Sequence, residues 1–337
     1  MWMVTRIKSP HAEKMRKKKK RRSQMTWLGV ILCAALLYGA SLLMDLIPAP
    51  EPELNSGRTV QVYHMETGQL MALDLEQYLV GVVAAEMPAE FDVEALKAQA
   101  VAARTFTVNR MIHPHPNVTA LHSLAQLSTS PETCQAWISE EEQKKRWGSQ
   151  YRKYHRKIVQ AVADTAGEVL RYDGLLIEPL YHASCGGTQT EDAQNVWGNA
   201  KPYLVSVKCN HASDPHMQTR TSMTLQTMAQ RLQLSDAVLA AATGDYIQLL
   251  SSTGSNRVSQ IRIGNQIFTG GELRSALNLK SSLISWHITG NEITFITNGY
   301  GHGVGLCQYG ANYYAKQGDD YRQILSRYYT DTQLSQE

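Results

Sequence analysis

The chain has 337 residues, 43% hydrophobic and 19% charged, a globular rather than a disordered balance. Its net charge of +3 hides a polarity: residues 1–24 hold ten Lys or Arg and one acid, Glu13, a local +9 that leaves −6 for the remainder. A mildly acidic body behind a basic head argues against an enzyme acting on nucleic acid.

The basic run Lys14–Arg22 stands just before an uncharged stretch, Met25–Met44, whose twenty residues reach about 30 Å as a helix, one hydrocarbon core. Basic residues before it and Asp45 after it set the tail in the cytoplasm and the body outside. A cleaved signal peptide is the alternative, but its apolar core of about 7–15 residues is shorter than this run. A nucleic-acid patch is a third reading of the lysines; their position beside an apolar span favours contact with anionic lipid. The expected organisation is a cytoplasmic tail (1–24), a single uncleaved span in the cell membrane (25–47), a Pro-rich stalk (48–57) and an extracytoplasmic body (58–337). Cys33 falls within the span; Cys134, Cys185, Cys209 and Cys307 allow three disulfide pairings, which a body of this size does not require.

In the body, Thr59–Tyr63 alternates as a strand and Glu66–Gly68 marks a turn. Asp74 followed by Gln77 opens a helix on which Leu79, Val82, Val83 and Glu86 share one face. Pro88 forces Met87 out of helical geometry and ends it. Asp92 caps a second helix with a small-residue face, Leu96, Ala100 and Ala103. His113–Pro131 reads as loop, and Glu140–Thr165 as one long amphipathic helix stopped by Gly167. Glu168–Tyr172 and Leu175–Tyr181 form a hairpin about Asp173–Gly174. The last third alternates short strands (246–250, 258–263, 284–288, 293–296) with helices near Leu225–Leu232 and Gly271–Leu277, and closes with helices over Asn312–Lys316 and Tyr321–Tyr328. No repeat is visible. The fold class is α+β, a mixed body of two lobes around a substrate groove.

Glu86 is the singular residue of this pattern. It falls on an apolar face, in the last turn, at the negative end of the helix dipole. Burial and that dipole both disfavour the carboxylate, leaving a carboxyl that tends to keep its proton near neutrality, as a general acid must. A half-exposed Glu at a fraying helix end satisfies the same pattern.

The stretch VGVVAAEMPAEFDVEALKAQAVAARTF, with HASCGGTQTEDAQNVWG and GYGHGVGLCQYGANYYAKQG downstream, resembles the stage II sporulation protein D family. The resemblance spans about Thr59 to Tyr329, with three motifs in order. It implies a membrane-anchored lytic transglycosylase of endospore-forming bacteria, with Glu86 as catalytic acid/base. It also implies that Arg104 contributes to activity; positioning substrate and stabilising charge near Glu86 are the roles open to it.

The Gly299–Gly305 run follows a strand and precedes a helix, yet fits neither the dinucleotide nor the Walker phosphate pattern. Its alternate glycines permit positive φ or close approach of a ligand. By itself it is equally a tight structural turn; the family motif favours a substrate groove formed by Gly301, His302, Gly303, Gln308 and Tyr309. The Tyr181–Thr188 run lacks a serine-hydrolase elbow and reads as a wall of the same groove, with Ser184, Gly186, Gly187 and Thr188 as binding residues. Some relatives bind zinc through His-x5-Cys-x4-His-Cys. Here His122 and Cys134 hold the outer places, but Ser128 and Thr133, poor zinc ligands, hold the inner two. No metal is expected, and no cofactor.

The expected reaction is cleavage of peptidoglycan glycan strands, preferably stripped of stem peptides, to 1,6-anhydro-muramic ends. The family setting is septal wall thinning and engulfment during sporulation, with a wall amidase and an anchoring membrane protein as partners. The rivals are a non-catalytic wall-binding amidase enhancer, and a hydrolytic muramidase that needs a second carboxylate such as Asp92, Glu94 or Asp192.

Overall fold

The computed structural model describes residues 51–211, 214–234 and 246–337, together with Met15. The expected tail and span lie outside the described residues; among those described, no helix is long and apolar enough to cross a membrane. Pro52–Glu337 forms one unit, separate from Met1–Glu51. It is mixed α+β, and its buried side chains form two hydrophobic cores.

The larger core begins with β1 (Thr59–His64) and β2 (Gln69–Asp74), an antiparallel pair. Asp74 then caps α1 (Leu75–Glu86) by accepting from the amides of Glu76 and Gln77. Met87 adopts φ −123°, ψ 139°, the extended geometry Pro88 requires, and the helix stops there. α2 (Val93–Ile112), capped by Asp92, is buried on nearly every side from Ala95 to Val108 and runs through the core. Its alanines let neighbouring helices approach closely.

The segment expected as loop holds α3 (Pro116–Leu121) and a two-residue strand, β3 (Leu127–Ser128), parallel to β1. The long helix expected over 140–165 is broken. α4 (Glu140–Trp147) ends at Gly148, whose φ of +50° no right-handed helix accommodates, and α5 (Tyr151–Ala163) starts afresh. The hairpin of β4 (Glu168–Tyr172) and β5 (Leu175–Leu176) is shorter than expected, stopping before Glu178–Pro179. β6 (Tyr181–His182), expected as its continuation, pairs with a distant strand instead.

After α6 (Ala193–Trp197), the second core gathers, among the described residues, six strands and two helices. β7 (Thr219–Thr224), too polar to stand out in sequence, leads into α7 (Leu225–Arg231). β8 (Ile247–Ser252), β9 (Val258–Ile263) and β10 (Gln266–Thr269) form one antiparallel sheet. α8 (Gly270–Leu277) follows, and β11 (Ile284–Thr289) and β12 (Glu292–Thr297) complete a second sheet in the order β11–β12–β7. Residues such as Ile261, Ile263, Leu273 and Phe295 are fully buried between these elements.

The chain then returns to the first core. β13 (Leu306–Cys307) pairs in parallel with β6, with Leu306 opposite Tyr181 and Cys307 opposite His182. α9 (Gln308–Lys316) and α10 (Tyr321–Tyr328) pack on α2, and β14 (Gln333–Gln336) closes a sheet with β4. The two downstream motif runs are thereby joined: β6 and β13 bring residues 181–187 beside residues 299–309.

Candidate functional site

Glu86 ends α1 half-buried. Residues 134–138 cross this helix and reach Glu86 because position 81 is glycine: a Cβ there would meet Trp137 Nε1 at 2.2 Å and the Ile138 carbonyl at 2.8 Å. The crossing delivers the Ala136 amide, which donates to Glu86 Oε1 at 2.6 Å. An amide can only donate, so Oε1 is an acceptor and the transferable proton belongs to Oε2. Burial raises the Glu86 carboxyl above its ordinary range, against the opposing pull of the Ala136 N–H.

Tyr181 is the second partner of Glu86. A phenol that donates would stabilise the carboxylate, but the hydrogen-bond order here runs the other way. Thr107 Oγ1 gives its proton to the Ala103 carbonyl (2.8 Å), so it accepts from Gln135 Nε2 (3.1 Å). Gln135 Oε1 then accepts from the Tyr181 hydroxyl (3.0 Å), whose single proton is spent. Toward Glu86 the phenol oxygen offers lone pairs, which suit a protonated acid. The carbonyl of Ala103 thus fixes the direction of the whole chain.

Arg104 corrects an expectation. It is fully buried and forms a two-pronged pair with Glu76, Nε to Oε1 at 2.8 Å and Nη2 to Oε2 at 2.7 Å. It also donates to the carbonyls of Val162 and Glu168. Glu76 opens α1, and ten residues at 1.5 Å each put it about 15 Å along the helix from Glu86. A cavity of about 330 Å³ lies at that end, lined by Glu76, Arg104 and Gly167 among others, and not at Glu86. Arg104 therefore does not stabilise charge beside Glu86; it locks α1 and α2 to α5 and β4.

The groove residues divide. Ser184 is buried, its hydroxyl donating to Asp214 Oδ2 and accepting from Gly186 N. Gln308 is buried against Gln99 at 3.1 Å. Gly301 and Gly303 have φ of +106° and +85°, and a Cβ there would meet His182 at 2.9 Å and the Arg257 guanidinium at 2.8 Å. These glycines serve close packing of the protein on itself, as does Gly187, where a Cβ would meet the His211 carbonyl at 2.6 Å. Thr188 is exposed. His302 accepts from Val304 N at 3.1 Å, bonds the Tyr181 backbone, and is pushed down to about 3 by burial, so it is neutral. It lines a cavity of about 180 Å³ with Glu191, Asn195, Arg257 and Arg274.

Tyr309, by contrast, belongs to a line of rings that starts in the loop after Glu86. Phe91 meets Tyr309 edge-on (5.0 Å), Tyr309 meets His216 (5.5 Å), and His216 meets Tyr300 (5.0 Å), which is exposed and carries Lys280 above its face. Lys157 holds the start of this line by donating to the carbonyls of Ala89, Glu90 and Phe91. The sequence reading assigned no role to Tyr181, Gln135, Phe91, His216 or Tyr300. Tyr181 and Tyr300 stand inside the motif runs and were findable there; nothing in sequence marks His216 or Gln135.

The metal question also changes. At the region used by some relatives, Ser128 and Thr133 hydrogen-bond each other at 3.2 Å and Cys134 accepts from Ser128 N, an arrangement that does not fit zinc. Elsewhere, Cys185, Cys209, His211 and Cys307 come together, their ligand atoms all within 4.8 Å of one another. Cys134, Cys185, Cys209 and Cys307 are all free thiols. The sequence reading weighs only the 122–134 set and does not bring these four residues together.

Comparison with known proteins places this arrangement. Residues 63–172 match the model of the SpoIID family, stage II sporulation protein. Stage II sporulation protein D of Bacillus amyloliquefaciens is 37% identical, over 85% of this chain and 81% of that protein. The chain belongs to the stage II sporulation protein D family. The Bacillus subtilis member is likewise 37% identical, over 82% of this chain and 79% of its own. An amidase enhancer of Bacillus subtilis is 28% identical, over 76% of this chain but 40% of that protein. The matched residues 63–172 include Glu86 and Phe91, where the line of rings begins.

Proposed function

We propose that the chain is a membrane-anchored lytic transglycosylase that cleaves peptidoglycan glycan strands outside the membrane during sporulation. The observation that carries this is the Glu86 carboxyl, raised by burial and placed beside a phenol whose own proton is given to Gln135. Glu86 Oε2–H protonates the glycosidic oxygen as the bond to the anomeric carbon breaks. The C6 hydroxyl of the same muramic residue attacks that carbon and returns its proton to Glu86. The enzyme is regenerated, no water is consumed, and a 1,6-anhydro end remains. Tyr309, His216 and Tyr300 supply faces and edges for sugar rings, with Phe91 packed behind Tyr309.

The hydrolytic rival requires a second carboxylate to activate water or attack the sugar. Its candidates are engaged elsewhere: Asp92 and Asp192 cap helices, and Glu94 pairs with Lys97 and accepts from Tyr321 N. The amidase-enhancer rival draws on the relative of that name and needs no acid at position 86. A wall amidase and an anchoring membrane protein are the partners this reading proposes, with strands stripped of stem peptides as preferred substrate. Mass analysis of products from purified strands separates the three readings. Anhydro ends support the proposal, reducing ends the muramidase, and uncut strands the enhancer.

A further inference from the structure

Three thiols and one imidazole meet in the first core, at a place unrelated to the zinc site of some relatives. Cys185, Cys209 and Cys307 are 0% exposed and His211 4%. His211 Nε2 lies 3.5 Å from Cys185 Sγ and 3.5 Å from Cys307 Sγ. A tetrahedral zinc with Zn–S of about 2.3 Å and Zn–N of about 2.0–2.1 Å sets its S···N edges at about 3.6 Å and its S···S edges at about 3.8 Å. The observed S···N spacing is that of a ligand shell, and the three cysteines are free thiols.

The surroundings suit thiolates. Cys307 Sγ accepts from the amides of Cys185 and Gly310, both at 3.3 Å, and Cys209 Sγ lies 2.9 Å from the Tyr328 hydroxyl. His211 turns its other nitrogen, Nδ1, toward Asp214 Oδ2 at 3.9 Å, with no hydrogen-bond partner of its own. A carboxylate behind the distal nitrogen is how metal-bound histidines are commonly oriented. The Arg257 guanidinium donates to the Cys185 carbonyl at 3.0 Å and puts a positive charge beside the cluster, offsetting the net negative charge of three thiolates around a divalent ion.

We propose that Cys185, Cys209, His211 and Cys307 form a closed, four-coordinate structural zinc site. Four protein ligands with no exposed position leave no room for substrate or water, so the metal has no part in the chemistry. Its role is to fasten three segments that are far apart in sequence: the end of the β6 run, the loop at 209–211 and the first residue before α9. Those segments hold β6, and β6 carries Tyr181. The inference stands independently of the reading of Glu86.

The full-length chain, purified in detergent without chelator, is expected to hold about one zinc per chain by elemental analysis. Exchange with cobalt should give a thiolate-to-cobalt charge-transfer band and the intense visible bands of a tetrahedral centre. Cys307→Ser and His211→Ala should each lose the zinc, while Cys134→Ser should keep it. Where a variant does not fold, the cobalt spectrum of the wild type carries the test. A wild-type chain that takes up neither metal overturns the proposal. So does a disulfide among Cys185, Cys209 and Cys307, or zinc that is lost with Cys134→Ser and kept with Cys307→Ser.

Discussion

The two ends of α1 each hold a glutamate shielded from water, and they are opposites. At the first turn, Glu76 is matched by the fork of Arg104, with every charge paired. At the last turn, among the described residues Glu86 has no cation beside it, only an amide and a phenol whose own proton goes to Gln135. One environment secures ionisation and rigidity; the other favours a proton that can be given up. The same residue type on the same helix is structural at one end and chemical at the other, and the neighbours supplied by distant segments make the difference.

The sharpest attack on this contrast is Glu86→Gln, which keeps shape and removes the transferable proton. Strand cleavage should fall by about 10²–10⁴-fold, the usual contribution of general acid–base catalysis, while strand binding persists. A folded variant that still releases anhydro ends at near wild-type rate would sink the assignment.

Arg104→Ala should act on stability. It strands the buried Glu76 carboxylate, a loss of about 3–5 kcal/mol, read as a large drop in melting temperature. Adding Glu76→Gln should recover part of it. Unchanged melting with lost turnover would place Arg104 in the chemistry and erase the contrast.

Tyr181→Phe tests the direction of the hydrogen-bond chain. Removing an acceptor worth about 0.5–1.5 kcal/mol to the protonated acid should move the alkaline limb of the pH–rate profile down by about 0.4–1 pH unit. An upward movement would show that the phenol donates to the carboxylate.

The smallest effect is in the pH dependence of melting. The Glu86 pKa is raised on folding, so its protonated form is the one the fold favours. Its contribution is fully present below the unfolded value of about 4.3 and is lost as pH rises through the folded value. Wild type should therefore lose stability relative to Glu86→Gln as pH rises from about 4.3 through the raised folded value, and the two should converge in acid. Parallel melting curves across that range would show Glu86 to be unperturbed.

Local rules carried the sequence reading a long way, because they act within a few residues. Asp74 as cap, Pro88 as stop, and the apolar face that draws Glu86 inward are all properties of one helical segment, and each element bounded by such signals was found. Where the rules were silent, the reading failed for physical reasons. Gly148 broke a helix whose amphipathic pattern ran straight through it, and β7 owes its place to pairing with β12 rather than to its own polar sequence.

What sequence by itself determined is that Glu86 ends a helix on its buried face, within motifs of a sporulation family. Tertiary structure alone decided what each buried group meets. Arg104 finds its carboxylate 28 residues away, Glu86 its amide donor 50 residues away, and Cys185 its sulfur neighbour 122 residues away. Such partners are chosen by the packing of whole segments, and no periodicity or motif in one stretch of chain encodes which distant stretch will lie against it.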